Sequence, residues 1–421
     1  MVSHLNFEMK KIKIGTKSLG KYFDLWFVGS LLFLILVGFY SVYSNSLNAD
    51  NLANFNKHIT YAFWGIILMI VVAFVPEDKI RNLSLPLYIF SILLLILVLF
   101  IGSTQFGTKG WLRIGSYSIQ PAEFAKLALI LTSASFLSIP GVSLSNVRGL
   151  GILSLIFLIP ILLIILQPDF GTSVVILAIF WGILFWAGLN LNFLLALIGI
   201  PFLTLFYLKG LPEFLLVLVL FGLLLVVANK RKFATTIITI ALSIVVALGS
   251  KELIHYLPEH QQKRIKAFVD PSYEPLKGSY NLVQSLLAVG SGGFLGKGPF
   301  SGTQTQLQYV YAQSSDFVFS IPAEEFGFVG SISIIIAFFI LIRRTIKIGL
   351  ETPSIFLKYA ILSYSIMLIF HFAENVGMAI GIFPVMGIPL PFVSSGGSFF
   401  LVNCFLAGIV LNAHRRKFQF S

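Results

Sequence analysis

Cysteine is almost absent from this chain of 421 residues, and charge is scarce. The one cysteine, Cys404, sits in an apolar run, which excludes an intramolecular disulfide and a cysteine metal cluster. Charged residues make up 11% of the sequence, against about 25% in a soluble domain, so a water-soluble globular protein is excluded. Histidine is thin as well. His4, His58, His255, His260, His371 and His414 are scattered with no H-E-x-x-H among them, which supports neither a zinc-binding helix nor a Ser-His-Asp arrangement. The glycine-dense "AVGSGGFLGKGPFSG" could form an anion nest. It matches no nucleotide-binding pattern, because its lysine lacks the required spacing.

What the chain does have is apolar length. Hydrophobic residues account for 57% of it, with a mean hydropathy of +0.93. A transmembrane helix needs about 20 mainly apolar residues, and twelve stretches qualify: 22–44, 58–76, 84–102, 121–138, 149–167, 171–188, 192–208, 212–229, 232–250, 316–342, 355–381 and 392–412. The expected fold is all-α and polytopic, one membrane domain over 22–412 between basic tails 1–21 and 413–421. The apolar run after Lys21 lacks a signal cleavage site and is read as a retained first span.

The net charge of +12 is read by position, because lysine and arginine mark the cytoplasmic side of spans, and no nucleic-acid partner is inferred. Lys79 and Arg81, Arg148, "NKRK", Arg343, Arg344 and Lys347, and "HRRK" all fall on the side of the lysine-rich N-terminus. Both ends are therefore expected in the cytoplasm. The opposite face receives "GSTQFGTKGWLRIGSYSIQ" and a long polar loop over 251–315.

Four segments could carry chemistry. In "SIQPAEFAKLALIL", Pro121 suits the first helical position. Glu123 and Lys126, spaced i,i+3, can meet on one face, as a structural ion pair or as the holder of an anionic head group. In "LQPDFGTS", Asp169 opens a helix, as a plain cap or as a cavity wall. Asp316, Glu324 and Glu325 stand at the head of the 316–342 span, where acids often serve as caps. "GIFPVMGIPLPFVSSGGS" holds three prolines and four glycines at membrane depth. Irregular backbone persists there only when buried in protein or lining a watery cavity, so Ser394 and Ser395 are expected beside a pocket, with Glu374 and Asn375 on the preceding span.

Taken in order, "GWLRIGSYSIQPAEFAKLAL", "QPDFGTS", "DPSYEPLKGSYNLVQS", "GSGGFLGKGPFSGTQTQLQY", "DFVFSIPAEEFGFVG" and "NVGMAIGIFPVMGIPLPFVSSGGS" resemble the RodA/FtsW family of shape, elongation, division and sporulation proteins (SEDS). "GTQTQL" is similar to the RodA elongation branch. The resemblance implies a peptidoglycan glycosyltransferase that polymerises lipid II at the outer face of the bacterial cytoplasmic membrane. It also implies a class B penicillin-binding protein as partner, alongside other elongation-complex proteins. The donor sugar leaves an α-linked pyrophosphate and the product is β-linked, so one inverting displacement with a carboxylate base is expected, as in inverting glycosidases.

The family's essential aspartate falls, by that resemblance, on Glu274, with Asp270 as the alternative catalytic acid. Arg113, Glu123, Lys126, Asp169, Lys277, Gln284, Asp316, Asn375, Ser394 and Ser395 are implied as substrate-binding. A divalent cation such as Mg²⁺ or Mn²⁺ could share the neutralisation of the departing pyrophosphate with Arg113 and Lys126. The chain departs from the family in four places. It has Glu274 for aspartate, and Lys277 where glycine is common. It has Ala312, Gln313 and Ser314 where glutamate, a spare residue and histidine are usual. It also has a pair of spans near 190–230 beyond the family's usual ten. A flippase of lipid-linked precursor and a non-enzymatic scaffold for the transpeptidase are the competing readings.

Overall fold

The computed structural model describes residues 23–417 except 48–51, 106–107, 116, 145, 190–194, 196–198, 200–202, 205, 229–232, 255–261, 263–264, 267, 270–278, 308 and 311. Helices α1 (Leu25–Leu47), α2 (Ala53–Phe74) and α3 (Glu77–Ile101) lead into strands β1 (Ser103–Gln105), β2 (Thr108–Ile114) and β3 (Tyr117–Ile119). Then come α4 (Pro121–Leu137), α5 (Val147–Ile165), α6 (Phe170–Trp186), α7 (Leu211–Ala228) and α8 (Phe233–Ile254). The short α9 (Tyr280–Ser291), α10 (Thr303–Gln306) and α11 (Ser320–Glu325) precede the long α12 (Gly327–Glu351), α13 (Ile355–Ala379) and α14 (Gly397–Lys417).

Seven of these, α1, α2, α3, α5, α12, α13 and α14, are long and apolar enough to cross a membrane; Phe170–Trp186 and Leu211–Val227 are shorter apolar helices. Ten of the twelve expected spans each overlap one helix among the described residues, 316–342 overlaps two, and the stretch 192–208 falls largely outside them.

Three local departures have physical causes. The outer loop over 103–119 is a small antiparallel sheet in the order β1-β2-β3, so the chain is not wholly helical. The expected 316–342 span is two helices, broken where Gly327 takes a φ of +60°. A Cβ there would lie 2.4 Å from the Gly296 nitrogen, so only glycine lets α12 start against the 292–298 turn. That turn is a packing surface: the N–H groups of Lys297 and Gly298 donate to the carbonyls of Glu324 and Glu325 at 3.1 and 3.0 Å, and are spent before any anion could use them.

Asp24, which the sequence places inside a span, lies just before α1. It accepts from the Phe27 N–H at 2.9 Å and forms a bidentate pair with Arg344. Nearby, Arg416 meets Glu77 at 3.8 Å and Lys417 meets Glu351 at 2.8 Å. The basic ends of α12 and α14 and the starts of α1 and α3 thus share one end of the bundle.

α4 forms the centre. It has alanine, leucine and isoleucine throughout, good or tolerable helix formers, and packs against α3, α5, α6, α13 and α14. Almost every one of its side chains is buried. α7 and α8 pair with each other around Leu203, Phe214 and Ala247, a small cluster separate from the main core.

Glu324 and Glu325 are buried acids that do not cap a span; they hold the 297–306 segment down. Glu324 accepts from the Lys297 ammonium at 2.7 Å and from the backbone N–H groups of Gln304 and Thr305 at 2.9 and 3.0 Å. Glu325 accepts from Tyr40, from the Ser44 hydroxyl at 2.7 Å and from the Gln306 amide at 2.9 Å. This ties the segment to α1.

α1 also supports the irregular stretch before α14. A Cβ on Gly38 would lie 2.6 Å from the Phe392 carbonyl oxygen and 2.9 Å from that of Val393. Gly38→Ala must therefore push α1 off that backbone, at about 1–3 kcal/mol for overpacking. A lowered unfolding temperature in detergent micelles is the expected result, and an unchanged one would contradict the contact.

Candidate active site

At the end of the bundle opposite the basic cluster, a cavity of about 400 Å³ opens among the first turns of α2, α4, α6 and α14, the sheet, the 312–316 turn and the 386–389 backbone. Glu123, Lys126, Asp169, Asp316 and Ser395 all line it.

Lys126 lies at its base, 1% exposed, with its ammonium 2.9 Å from Glu123 Oε1. Pro121 at the first helical position starts α4, and the i,i+3 spacing puts the two side chains on one face. A lysine so fully buried persists because its charge is paired. Glu123 Oε2 is buried with no hydrogen-bond partner among the described residues. An orphan acceptor on a cavity wall can take a hydroxyl or amide from a ligand.

Asp169 is the N-cap of α6. Oδ1 accepts from the Thr172 N–H at 3.0 Å, and Oδ2 accepts from the Thr172 hydroxyl and the Gln120 amide, both at 2.9 Å. It is cap and cavity wall together. The 312–316 turn is held from outside: the Ser395 hydroxyl and N–H each donate to the Ser314 carbonyl at 2.8 Å, and the Ser394 hydroxyl donates to that of Ser315. Asn375 donates to the carbonyls of Asp316 and Ile388 at 2.6 and 2.8 Å. Ser394 and Asn375 therefore shape the wall without lining it.

Arg113 is exposed near the far end of β2, beyond Trp111, and is not among the cavity-lining residues. Gln284 is half-buried on α9 and does not line the cavity either. Asp270, Glu274 and Lys277 lie outside the described residues.

Sequence reasoning missed several walls. Lys57, His58 and Tyr61 on the first turns of α2 line the cavity, as do Gln120, Trp111 and His371. His371 stands 3.4 Å from the Lys126 ammonium. Its signal was available: with Glu374 and Asn375 it makes an i, i+3, i+4 polar stripe on an otherwise apolar span. Among the described residues no group of three His, Cys, Asp or Glu could hold a metal ion. Lys126 is the buried cation of the cavity.

The family profile described as cell cycle protein, FtsW/RodA/SpoVE, matches residues 22–214 and 209–419, so the 190–230 stretch falls inside matched sequence. The peptidoglycan glycosyltransferase RodA of Treponema pallidum (strain Nichols) is 31% identical, over 94% of this chain and 98% of the relative. The peptidoglycan glycosyltransferase MrdB of Escherichia coli (strain K12) is 29% identical, over 92% of each. Among solved structures, one describing the structural coordination of polymerization and crosslinking by a peptidoglycan synthase complex matches at a TM-score of 0.69 and 26% identity, covering 94% of this chain and 99% of that one. A crystal structure of a mutant Thermus thermophilus rod shape determining protein RodA matches at 0.63 and 25%, with the same coverage. With an apolar helical bundle, a charged cavity at one end and a profile match along nearly its whole length, this chain belongs to the FtsW/RodA/SpoVE (SEDS) family of multi-pass membrane proteins.

Proposed function

We propose that this protein is a peptidoglycan glycosyltransferase that polymerises lipid II at the outer face of the cytoplasmic membrane, during elongation and rod-shape maintenance. The observation that carries the reading is the paired, buried Lys126 ammonium at the base of a cavity opposite the basic end of the bundle. By the positive-inside rule that basic end faces the cytoplasm, so both termini lie inside and the cavity faces out.

Lipid II carries its pyrophosphate just above the bilayer core, at the depth where the first turns of α4 and α6 line the cavity. The Lys126 ammonium stabilises the negative charge that grows on the departing diphosphate, and Glu123 Oε2 is placed to accept from a substrate hydroxyl. A carboxylate from 255–278, Glu274 ahead of Asp270, takes the proton from the attacking sugar hydroxyl as the anomeric bond to phosphate breaks with inversion. A class B penicillin-binding protein cross-links the emerging strand. A divalent cation shared between a cavity carboxylate and the substrate's phosphates would add to the neutralisation of the departing diphosphate, and no step above requires it.

The test is polymerisation of lipid II by the purified protein, with and without that partner. Glu274→Gln is expected to keep its fold and its affinity for lipid II while losing about 10²–10⁴-fold in rate, the usual contribution of a positioned base. Full activity in that variant would transfer the role to Asp270. Translocation of lipid II in proteoliposomes with no polymer formed would favour a flippase instead.

A further inference from the structure

His371 is the one histidine in contact with the Lys126 ammonium among the described residues, and its hydrogen bonds fix which nitrogen carries the proton. Nδ1 lies 2.9 Å from the Pro389 carbonyl oxygen. A carbonyl oxygen can only accept, so Nδ1 carries the hydrogen, and in neutral imidazole Nε2 is then an acceptor. That nitrogen faces Lys126 at 3.4 Å. The ring lies tilted over Phe399, centroids 4.8 Å apart, and the same Phe399 ring sits 5.2 Å beneath the ammonium. His371 is wholly buried, so neither ring nitrogen has water as an alternative partner.

We propose that His371 is a positioning residue for Lys126. Held to the 386–389 backbone, it accepts one ammonium hydrogen while Glu123 accepts another, which leaves the third directed into the cavity for the substrate's diphosphate. An ammonium has three donors on a freely rotating head. With Glu123 alone, Lys126 could swing about that single bond. The second acceptor, fixed to a wall made of main chain, removes that freedom. The inference rests on the glycosyltransferase reading and adds a residue and a role to it.

Two substitutions separate this role from simple packing. Glutamine places an acceptor near the Nε2 position, whereas asparagine places a donor near Nδ1 and leaves Lys126 without its second partner. His371→Asn is expected to lose about 10–100-fold in polymerisation rate, as small misplacements of a catalytic cation do, while His371→Gln stays within about threefold of the parent. The loss falls on kcat rather than KM, because the contact matters most as charge develops on the leaving group. A purely structural tether to Pro389 predicts the reverse order, and equal activities for the two variants would also overturn the proposal.

A second measurement does not depend on any variant folding. Nitrogen NMR of ¹⁵N-histidine-labelled wild-type protein is expected to show His371 with a protonated Nδ1 and a bare Nε2. The opposite tautomer sinks the proposal. Failure of the wild-type protein to polymerise lipid II would instead overturn the underlying reading, so the two failures are distinguishable.

Discussion

Lys126→Met is expected to reduce lipid II polymerisation by about 10²–10³-fold, the range seen when one donor to a developing negative charge is removed. The same change strands the Glu123 carboxylate, 2% exposed, with no cation 2.9 Å away. Breaking one half of a buried pair costs about 3–5 kcal/mol, whereas replacing both halves by neutral groups is often tolerated. The informative variant is therefore Glu123→Gln combined with Lys126→Met. It should recover the unfolding temperature that Lys126→Met loses, and remain inactive. Wild-type polymerisation in a folded double variant would remove the buried ammonium from the chemistry.

The second large effect concerns stability. Glu324→Ala removes the acceptor for Lys297 and for the N–H groups of Gln304 and Thr305, at about 1–3 kcal/mol for each buried donor left unmet. Burial by itself would raise the Glu324 carboxyl; its bonds to Lys297 and to the two backbone N–H groups outweigh burial and hold it below the usual carboxylate range. A depressed folded-state pKa means that this stabilisation is fully present above the ordinary carboxylate pKa. It disappears as the pH falls through the lowered value. Unfolding temperatures of the wild type and of Glu324→Gln, measured across acid pH, should converge toward the acid end. A gap that stays constant or widens there would mean that the charge of Glu324 does not hold the segment.

The bundle was legible because membrane helices announce themselves by length, and alternating basic loops order them. Glu123 and Lys126 were legible as a pair for the same local reason, three residues apart on one helix. So was Asp169 as a cap, since its partner Thr172 is three residues on. The break over 381–396 could be anticipated because prolines and glycines cannot continue a helix at that depth. His371 was legible only in part: its stripe with Glu374 and Asn375 marks a polar helix face, but its partner Lys126 is 245 positions away, and no spacing signal points to it. Lys57 and Tyr61 were hidden likewise, because which helix mouths converge is a property of packing. The sheet at 103–119 was hidden by shortness, with two strands of three residues each.

The turn at 314–316 is gripped through its carbonyl oxygens, by Ser394, Ser395 and Asn375. Every amino acid offers that same oxygen, so a change of side chain at 314 leaves the grip in place, whereas Ala312 holds a φ of +56° and the buried Gln313 amide donates to the Thr305 carbonyl at 2.7 Å. The grip on the Asp316 carbonyl by Asn375 keeps Asp316 on the cavity wall whichever side chain stands at 314.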